Sequence, residues 1–239
     1  MAELVAQGPA RKGAHGDEGA SVALHTEDVV VGDFIVRHRY LSRVIHWSVA
    51  GSFVVCLLTG LPIWTPVFGW MATLFGGLTV CSWLHPWAGV VFFAASTVMF
   101  VHWAKEMVLR GNEKEWMTPK KLIQYFKFSG EDPTVGKYNG GQKLLFWISA
   151  LGAVGLMLSG LVLWFPLLVP PVLREASIVI HDITFIAFVM TIIGHVYLGT
   201  AAEPGTFRAM TRGTVTKPWA KLHHPAWYRE VTGNARERK

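Results

Sequence analysis

Residues 176–200 read ASIVIHDITFIAFVMTIIGHVYLGT, an apolar stretch with no lysine or arginine that contains two histidines, His181 and His195. A helix of about 20 residues crosses a hydrocarbon core of about 30 Å, so this stretch predicts a transmembrane helix. At 100° per residue, the two histidines return to within about 40° of the same face, about 21 Å apart along the axis. One helix therefore presents one imidazole near each membrane surface.

Three further apolar stretches have the length of a membrane span. They cover residues 44–64, 86–104 and 144–165, and none contains lysine or arginine. Only 16% of all residues are charged, against about 25% in ordinary soluble domains. The alternation of a membrane β-barrel is absent, so the sequence predicts an all-α integral membrane protein with four transmembrane helices.

The basic residues lie on one side of these spans. The connections 65–84 and 166–175 contain only Arg174, and the other 21 of the 22 lysines and arginines fall before the first span, in the central loop or after the fourth span. The positive-inside rule then places both termini and the central loop in the cytoplasm. The net charge of +6 reflects this topology more than nucleic-acid binding. An interfacial aromatic belt is expected at the opposite surface, formed by Trp64, Trp70, Trp83 and Trp87.

Composition divides the chain into three parts. Residues 1–36 are polar and glycine-rich and lack the apolar core of a signal peptide, which predicts a flexible cytoplasmic extension. Residues 37–204 form the four-helix membrane domain. Residues 205–239 are expected to be a cytoplasmic tail.

Depth in the membrane decides how four histidines can pair. His46 lies where the first span leaves the cytoplasm, and His85 lies where the second span enters from outside. His181 is at the outer end of the fourth span and His195 at its inner end. The pairs must therefore be His46 with His195 and His85 with His181, because any crossed pair would have to reach across the bilayer.

Paired imidazoles inside a membrane favour haem iron. Ionisable side chains are rare there and usually functional, and neutral imidazole is an axial haem ligand. Cys56 and Cys81 form no CxxCH attachment motif, so two non-covalent b-type haems are expected. A membrane histidine can also hydrogen-bond a neighbouring helix or line a proton path, and that reading stays open for each one.

His102 is the main competitor as a ligand on the cytoplasmic side. It lies at a depth similar to His46 and His195 but about 100° around the helix from His85. It could instead contact a haem propionate or lie at the membrane interface.

A weak internal repeat connects the first and third spans. Residues 57–61 read LLTGL and residues 156–161 read LMLSGL, at similar depths near the outer ends of both spans. Such small residues allow close helix packing or leave room for a flat macrocycle.

Two cytoplasmic segments carry unusual composition. Residues 135–143 read VGKYNGGQK, in which glycines allow close backbone approach to a ligand and Asn139 and Gln142 offer polar contacts. Residues 219–230 read WAKLHHPAWYRE. A generic loop and an interfacial amphipathic segment are the alternatives.

At these residues the chain resembles the gamma subunit of membrane-bound respiratory formate dehydrogenase, a dihaem cytochrome b. The resemblance covers roughly residues 37–230 and leaves out the N-terminal extension. It rests on His46-Trp47, Leu84-His85-Pro86, the run GKYNGGQK, Ile180-His181, His195 with Tyr197, and the run WAKLHHPAWYRE.

The resemblance implies a dihaem cytochrome b bundle in the bacterial cytoplasmic (inner) membrane, with His46 and His195 on the cytoplasmic-side haem and His85 and His181 on the outer one. It further implies that an iron–sulfur beta subunit passes electrons from a molybdenum or tungsten alpha subunit, where formate is oxidised, to a menaquinone or ubiquinone. The implied quinone pocket contains Asn139, Gly141, Gln142, His195, Leu198 and Gly199. The chain itself would be an electron-transfer subunit that contains the site of quinone reduction and no formate chemistry.

Two other functions remain open from the sequence. The cytochrome b subunit of a nickel–iron hydrogenase or of a thiosulfate reductase would have the same architecture and a different electron donor. A haem-free transporter that uses membrane histidines for protons or metal ions would also have four spans, but it would lack a haem spectrum.

Overall fold

A computed structural model of the protein describes residues 25–109 and 133–237. The first 24 residues of the predicted N-terminal extension and most of the predicted central loop lie outside this part of the chain. In the described residues, four helices are long and apolar enough to cross a membrane. The predicted class, a helical integral membrane protein, is confirmed, with a small sheet in addition.

The four helices follow one another up and down. They are α1 (Tyr40–Trp64), α2 (Leu78–Trp103), α3 (Gly140–Trp164) and α4 (Pro171–Tyr197), and α4 continues into a π-helical turn, Leu198–Ala202. A 3-10 helix, Pro66–Phe75, joins α1 to α2. Gly76 and Gly77, with φ of 90° and 118°, reverse the chain before α2, a conformation that glycine adopts at no steric cost.

The second helix begins earlier than predicted. The sequence predicted a span over residues 86–104, but α2 starts at Leu78 and contains Pro86 in its interior. The preceding residues are apolar enough to extend the span, and Cys81 among them is fully buried. His85 therefore lies about 10 Å inside the helix rather than at its entrance.

The two ends of the bundle differ in character. We call "basic end" the one where α1 and α3 begin and α2 and α4 end, with Arg43, Lys105 and Lys143 nearby. We call "Trp-rich end" the other one, where Trp64, Trp70, Trp83 and Trp87 are each at least 46% exposed. Exposed tryptophans at one level are typical of a membrane interface.

Three phenylalanines fill the centre of the bundle. The ring centroid of Phe53 lies 5.1 Å from that of Phe188 and 5.8 Å from that of Phe92, and the latter two are 5.7 Å apart. Ala153 of α3 completes this buried layer. Phe188 lies seven residues from both His181 and His195, so the layer separates the two halves of the bundle.

A small folded unit covers the basic end. Strands β1 (Val29–Val31), β2 (Phe34–Val36) and β3 (Thr214–Thr216) form an antiparallel sheet in the order β1-β2-β3. Three helices complete the unit: α5 (Phe207–Thr211), α6 (Lys217–His223) and α7 (Pro225–Glu237). Ile35, Val215, Ala220 and Trp227 form its core.

This unit gives structure to parts of two predicted segments. Residues 29–31 and 34–36 of the predicted N-terminal extension form strands of the sheet, and the predicted tail, 205–239, contributes β3 and three helices. Strands of three residues have no detectable periodicity. An isolated two-stranded hairpin is also barely stable alone, so the N-terminal pair depends on β3, which is far away in sequence.

Arg37 connects this unit to the loop before α3. Its side chain is 2% exposed and donates a hydrogen bond of 2.6 Å from Nη2 to the carbonyl of Lys137. The guanidinium carbon lies 5.1 Å from the ring centroid of Trp219 and 5.3 Å from that of Trp227. Burial lowers the pKa of Arg37 to about 10, so it remains charged at neutral pH and cation–π contact with the rings offsets part of its desolvation.

The buried side chain of His224 makes a contact in the same unit that we expect to be sensitive to acid. It is 1% exposed and its Nδ1 lies 2.7 Å from the carbonyl oxygen of Gly136. Burial, followed by the charge of Arg37, lowers the pKa of His224 well below its ordinary value. The unfolded chain thus binds the proton at a higher pH than the folded one. Stability is complete above about pH 6.5 and falls below it by up to about 1.4 kcal/mol per pH unit.

The measurement is thermal unfolding followed by tryptophan fluorescence between pH 5 and 8. We expect His224→Asn to reduce the loss of stability in acid, since asparagine keeps a donor for the carbonyl of Gly136 but does not titrate. His223→Asn, at the partly exposed neighbour, is the matched control and should keep the full loss. Equal acid sensitivity in His224→Asn and the original protein would exclude His224 as the cause.

Candidate functional site

Two histidines face each other at the basic end. His46 lies in the second turn of α1 and His195 near the end of α4. Their ring centroids are 6.1 Å apart, with an angle of 54° between the ring planes. The sequence predicted that these two side chains would meet, and the structure brings them together.

A second pair lies towards the Trp-rich end. The ring centroids of His85 on α2 and His181 on α4 are 6.3 Å apart, at an interplanar angle of 76°. This is the other pair predicted from depth. The phenylalanine layer lies between the two pairs.

The spacing within each pair fits one metal ion between two imidazoles. Metal–nitrogen bonds of about 2.0–2.1 Å on both sides leave about 6 Å between ring centres. Among the described residues no three His, Cys, Asp or Glu side chains group together as ligands. A site with two protein ligands suits haem iron, whose macrocycle supplies the remaining donors.

A cavity of about 810 Å³ adjoins His85 and His181. Its walls are mostly apolar and include Trp64, Pro86, Leu156, Trp164 and Phe185. Apolar walls with a few polar groups are typical of a cofactor site. The cavity therefore fits the hydrophobic plane of a haem beside this pair.

Arg174 also lines this cavity. In the sequence, Arg174 is the single basic residue of the predicted outer connections, and no role was predicted for it. A guanidinium at the rim suits the carboxylates of haem propionates, because arginine binds carboxylates with two parallel hydrogen bonds. The sequence did contain a signal for this role, because Arg174 is the only lysine or arginine in the two outer connections.

His102 does not join either pair. Its Nε2 lies 3.0 Å from Oγ of Ser42, and Ser42 donates a 2.6 Å hydrogen bond to a carboxylate oxygen of Glu27. Although burial raises the pKa of Glu27, the salt bridge from Lys137 and the hydrogen bonds lower it overall. His102 is thus part of a polar network with an ionised carboxylate at the basic end.

The predicted quinone residues lie at two helix ends of the basic end. Asn139 Oδ1 accepts from the backbone N–H of Gln142, and Gln142 Oε1 accepts from that of Asn139. This reciprocal capping box uses both side-chain oxygens, and Gly141 lies within it. Leu198 and Gly199 lie in the π-helical turn after His195, a distortion often found at functional sites.

A four-helix membrane bundle with two facing histidine pairs defines a membrane cytochrome of the b type. The sequence profile of the prokaryotic cytochrome b561 family matches residues 37–213. The chain belongs to the prokaryotic cytochrome b561 family.

Three relatives of the chain are cytochrome b subunits of formate dehydrogenases. The chain is 35% identical over 203 residues to the formate dehydrogenase cytochrome b556(fdo) subunit of Escherichia coli K12, covering 83% of this chain and 94% of the relative. The nitrate-inducible formate dehydrogenase cytochrome b556(Fdn) subunit of the same organism is 30% identical, covering 82% and 91%. The formate dehydrogenase cytochrome b556 subunit of Haemophilus influenzae is 32% identical, covering 82% and 83%. The resemblance to the gamma subunit is thereby confirmed.

The histidine pairs predict a haem count. We expect the purified protein to contain two b-type haems and both His46→Ala and His85→Ala to contain one, because a bis-imidazole site that loses one ligand binds haem weakly. The measurement is the pyridine haemochrome assay per polypeptide. His102→Ala is the control and should retain two haems. Loss of a haem in that variant, with retention in His46→Ala, would assign ligation to His102 instead.

Proposed function

We propose that this chain is the cytochrome b subunit of a bacterial formate dehydrogenase complex and conveys electrons across the membrane to a quinone. Its relatives named as formate dehydrogenase subunits support the choice of complex. The observation that carries the proposal is the presence on α4 of one histidine from each facing pair.

When bound, the two haems supply one-electron carriers between the membrane surfaces. His181 and His195, the ligands from α4, are separated by 14 positions, or about 21 Å along the helix. The protein's part is to hold both pairs rigidly in apolar surroundings. The phenylalanine layer between them contains tightly packed rings, which exclude water from the space between the pairs.

The orientation follows from the distribution of charge. Because 21 of the 22 lysines and arginines lie on one side, the basic end is on the cytoplasmic side of the bacterial inner membrane. The Trp-rich end then faces outwards and receives electrons from an iron–sulfur beta subunit, which accepts them from a molybdenum or tungsten alpha subunit. The outward end has one basic residue, Arg174, so a partner meets a mostly uncharged aromatic surface there.

Quinone reduction belongs at the basic end, near His195, Leu198 and Gly199. Asn139 and Gln142 start α3, which packs antiparallel to α4, so the beginning of α3 approaches the end of α4. The capping box holds the oxygen of Gln142 on the backbone and thereby directs its Nε2 as a hydrogen-bond donor. A quinone carbonyl is an acceptor and suits that donor. Protons for the quinol would then come from the cytoplasm.

The donor is tested by adding formate to the purified complex and recording the visible difference spectrum, then adding dithionite. We expect formate to reduce both b haems. His195→Ala should lose one haem and quinone reduction while it retains formate oxidation with an artificial dye, because the site of formate oxidation lies in another subunit.

Each other result has a defined meaning. Two haems reduced by dithionite alone, in a complex with active partner subunits, would assign another donor, such as a hydrogenase. The absence of haem would leave the transporter interpretation. Normal quinone reduction by His195→Ala would exclude the assignment of the quinone site to the basic end.

Gln142→Glu tests the quinone contact. Glutamate at this position preserves a capping box and removes the N–H donor. Loss of one net hydrogen bond of about 0.5–1.5 kcal/mol should raise the KM for quinone about two- to twelvefold. The measurement is steady-state quinone reduction at varied quinone concentration.

The control separates binding from folding. Gln142→Ala removes both the cap and the donor, so it should raise KM and also lower thermal stability, whereas Gln142→Glu should leave stability and haem reduction by formate unchanged. An unaltered KM in Gln142→Glu would remove this residue from the quinone site.

A further inference from the structure

Two matching dipeptides contact the histidines of the pair at the Trp-rich end. Thr59 Oγ1 on α1 lies 3.3 Å from Nδ1 of His85 on α2, and Ser159 Oγ on α3 lies 2.9 Å from Nδ1 of His181 on α4. Thr59 and Ser159 are both buried. The same arrangement thus occurs twice, between consecutive helices.

The glycine after each hydroxyl residue leaves room for the imidazole. A Cβ atom added to Gly60 would lie 2.8 Å from Cε1 of His85, and one added to Gly160 would lie 3.3 Å from Cε1 of His181. The first distance is below any real Cβ contact, so alanine at position 60 would force the imidazole to move. Each hydroxyl–glycine dipeptide therefore forms a cradle for one imidazole edge.

The hydroxyl protons decide the direction of these hydrogen bonds. Thr59 donates to the carbonyl of Val55 at 2.7 Å, and Ser159 donates to that of Gly155 at 2.6 Å. A hydroxyl has a single proton; with that proton on the backbone carbonyl, its oxygen accepts from the imidazole. For His85 the carbonyl of Cys56, at 3.2 Å, accepts from the same nitrogen.

This arrangement of hydrogen bonds assigns the imidazole protons to Nδ1. Nε2 is then unprotonated, and its lone pair is available to a metal. For both histidines this nitrogen is the one that the cradle does not use. The cavity of about 810 Å³ adjoins His85 and His181, so a ligand site is present beside them.

We propose that Thr59-Gly60 and Ser159-Gly160 are positioning elements that fix the tautomer and rotation of His85 and His181 and lower the reduction potential of the haem bound by this pair. The inference rests on the proposed function. An N–H donated to an acceptor makes the imidazole a more basic ligand, which stabilises the oxidised iron. Hydrogen bonding around the ligands is one of the protein's means of adjusting haem potentials.

The pair at the basic end provides an internal comparison. Nδ1 of His46 is buried and has no hydrogen-bond partner among the described residues. Removal of a cradle hydroxyl should therefore change one of the two haem potentials and leave the other as it was. A general disturbance of the bundle would change both.

The test is redox titration of both haems in the purified complex with Ser159→Ala. We expect one midpoint potential to shift upwards and the other to stay. Ser52→Ala is the matched control, because Ser52 also donates to the carbonyl four residues before it, at 2.7 Å, and contacts no histidine. Ser159→Thr retains a hydroxyl and should restore the original potential.

The outcomes separate positioning from packing. A potential in Ser159→Ala equal to that in Ser52→Ala would overturn the proposal. Loss of the haem in Ser159→Ala with retention in Ser159→Thr would support a role for the hydroxyl, whereas loss in both would show that only side-chain volume matters and would overturn it.

The glycines are tested by a second pair of variants. Gly60→Ala should alter the low-spin EPR signal of one ferric haem or lose that haem, because the imidazole of His85 must rotate. Gly51→Ala on the same helix is the control, since a Cβ there meets nothing within 4 Å and its position is about 140° around the helix from His46. An unchanged EPR signal in Gly60→Ala would contradict the cradle.

These results are distinguishable from a failure of the proposed function. A wild-type protein without haem would remove the cytochrome assignment before any cradle variant is made. Two haems in the wild type, with midpoint potentials that do not change in Ser159→Ala, would leave the cytochrome assignment intact and reject only the cradle.

Discussion

An imidazole inside a membrane has two ring nitrogens that need partners, and this requirement organises the half of the bundle at the Trp-rich end. Water is scarce there, and an unsatisfied polar group costs several kcal/mol. At the Trp-rich end, a hydroxyl from the preceding helix satisfies Nδ1 of His85 and of His181. The second nitrogen is then left for another partner, and a metal held between the two facing imidazoles fits their spacing.

This requirement also determines how closely the helices approach. The hydroxyl must lie within hydrogen-bond distance of a ring on the next helix, so the residue after it can have no side chain. Gly60 and Gly160 meet that condition, and the phenylalanine layer below fixes the helices at that separation. The repeated sequences TG and SG are thus explained by contact with a histidine, beyond the helix packing that small residues generally permit.

The spans and the pairing of histidines could be predicted because both depend on local composition and helical geometry. The start of α2 at Leu78 could not, since the burial of Cys81 in the turn after it depends on packing that the sequence does not show. The folded unit at the basic end could not be predicted from the sequence either. Its β2 strand pairs with Thr214–Thr216, almost 180 residues away, and no short-range pattern indicates that contact. Arg174 and Ser159 needed a neighbouring helix in place before a role could be assigned.

The two ends of the bundle suit different exchange partners under the proposed function. The basic end is covered by the chain's own sheet and helices, anchored to α1 by hydrogen bonds from Arg43 and Trp47 to the carbonyls of Thr211 and Met210. This cover occupies the surface that a protein partner would need at that end. The Trp-rich end has exposed tryptophans and only a short 3-10 helix, Pro66–Phe75, so a protein partner can approach the cavity beside His85. Electron entry from a protein and exit to a quinone therefore match the asymmetry that the fold already has.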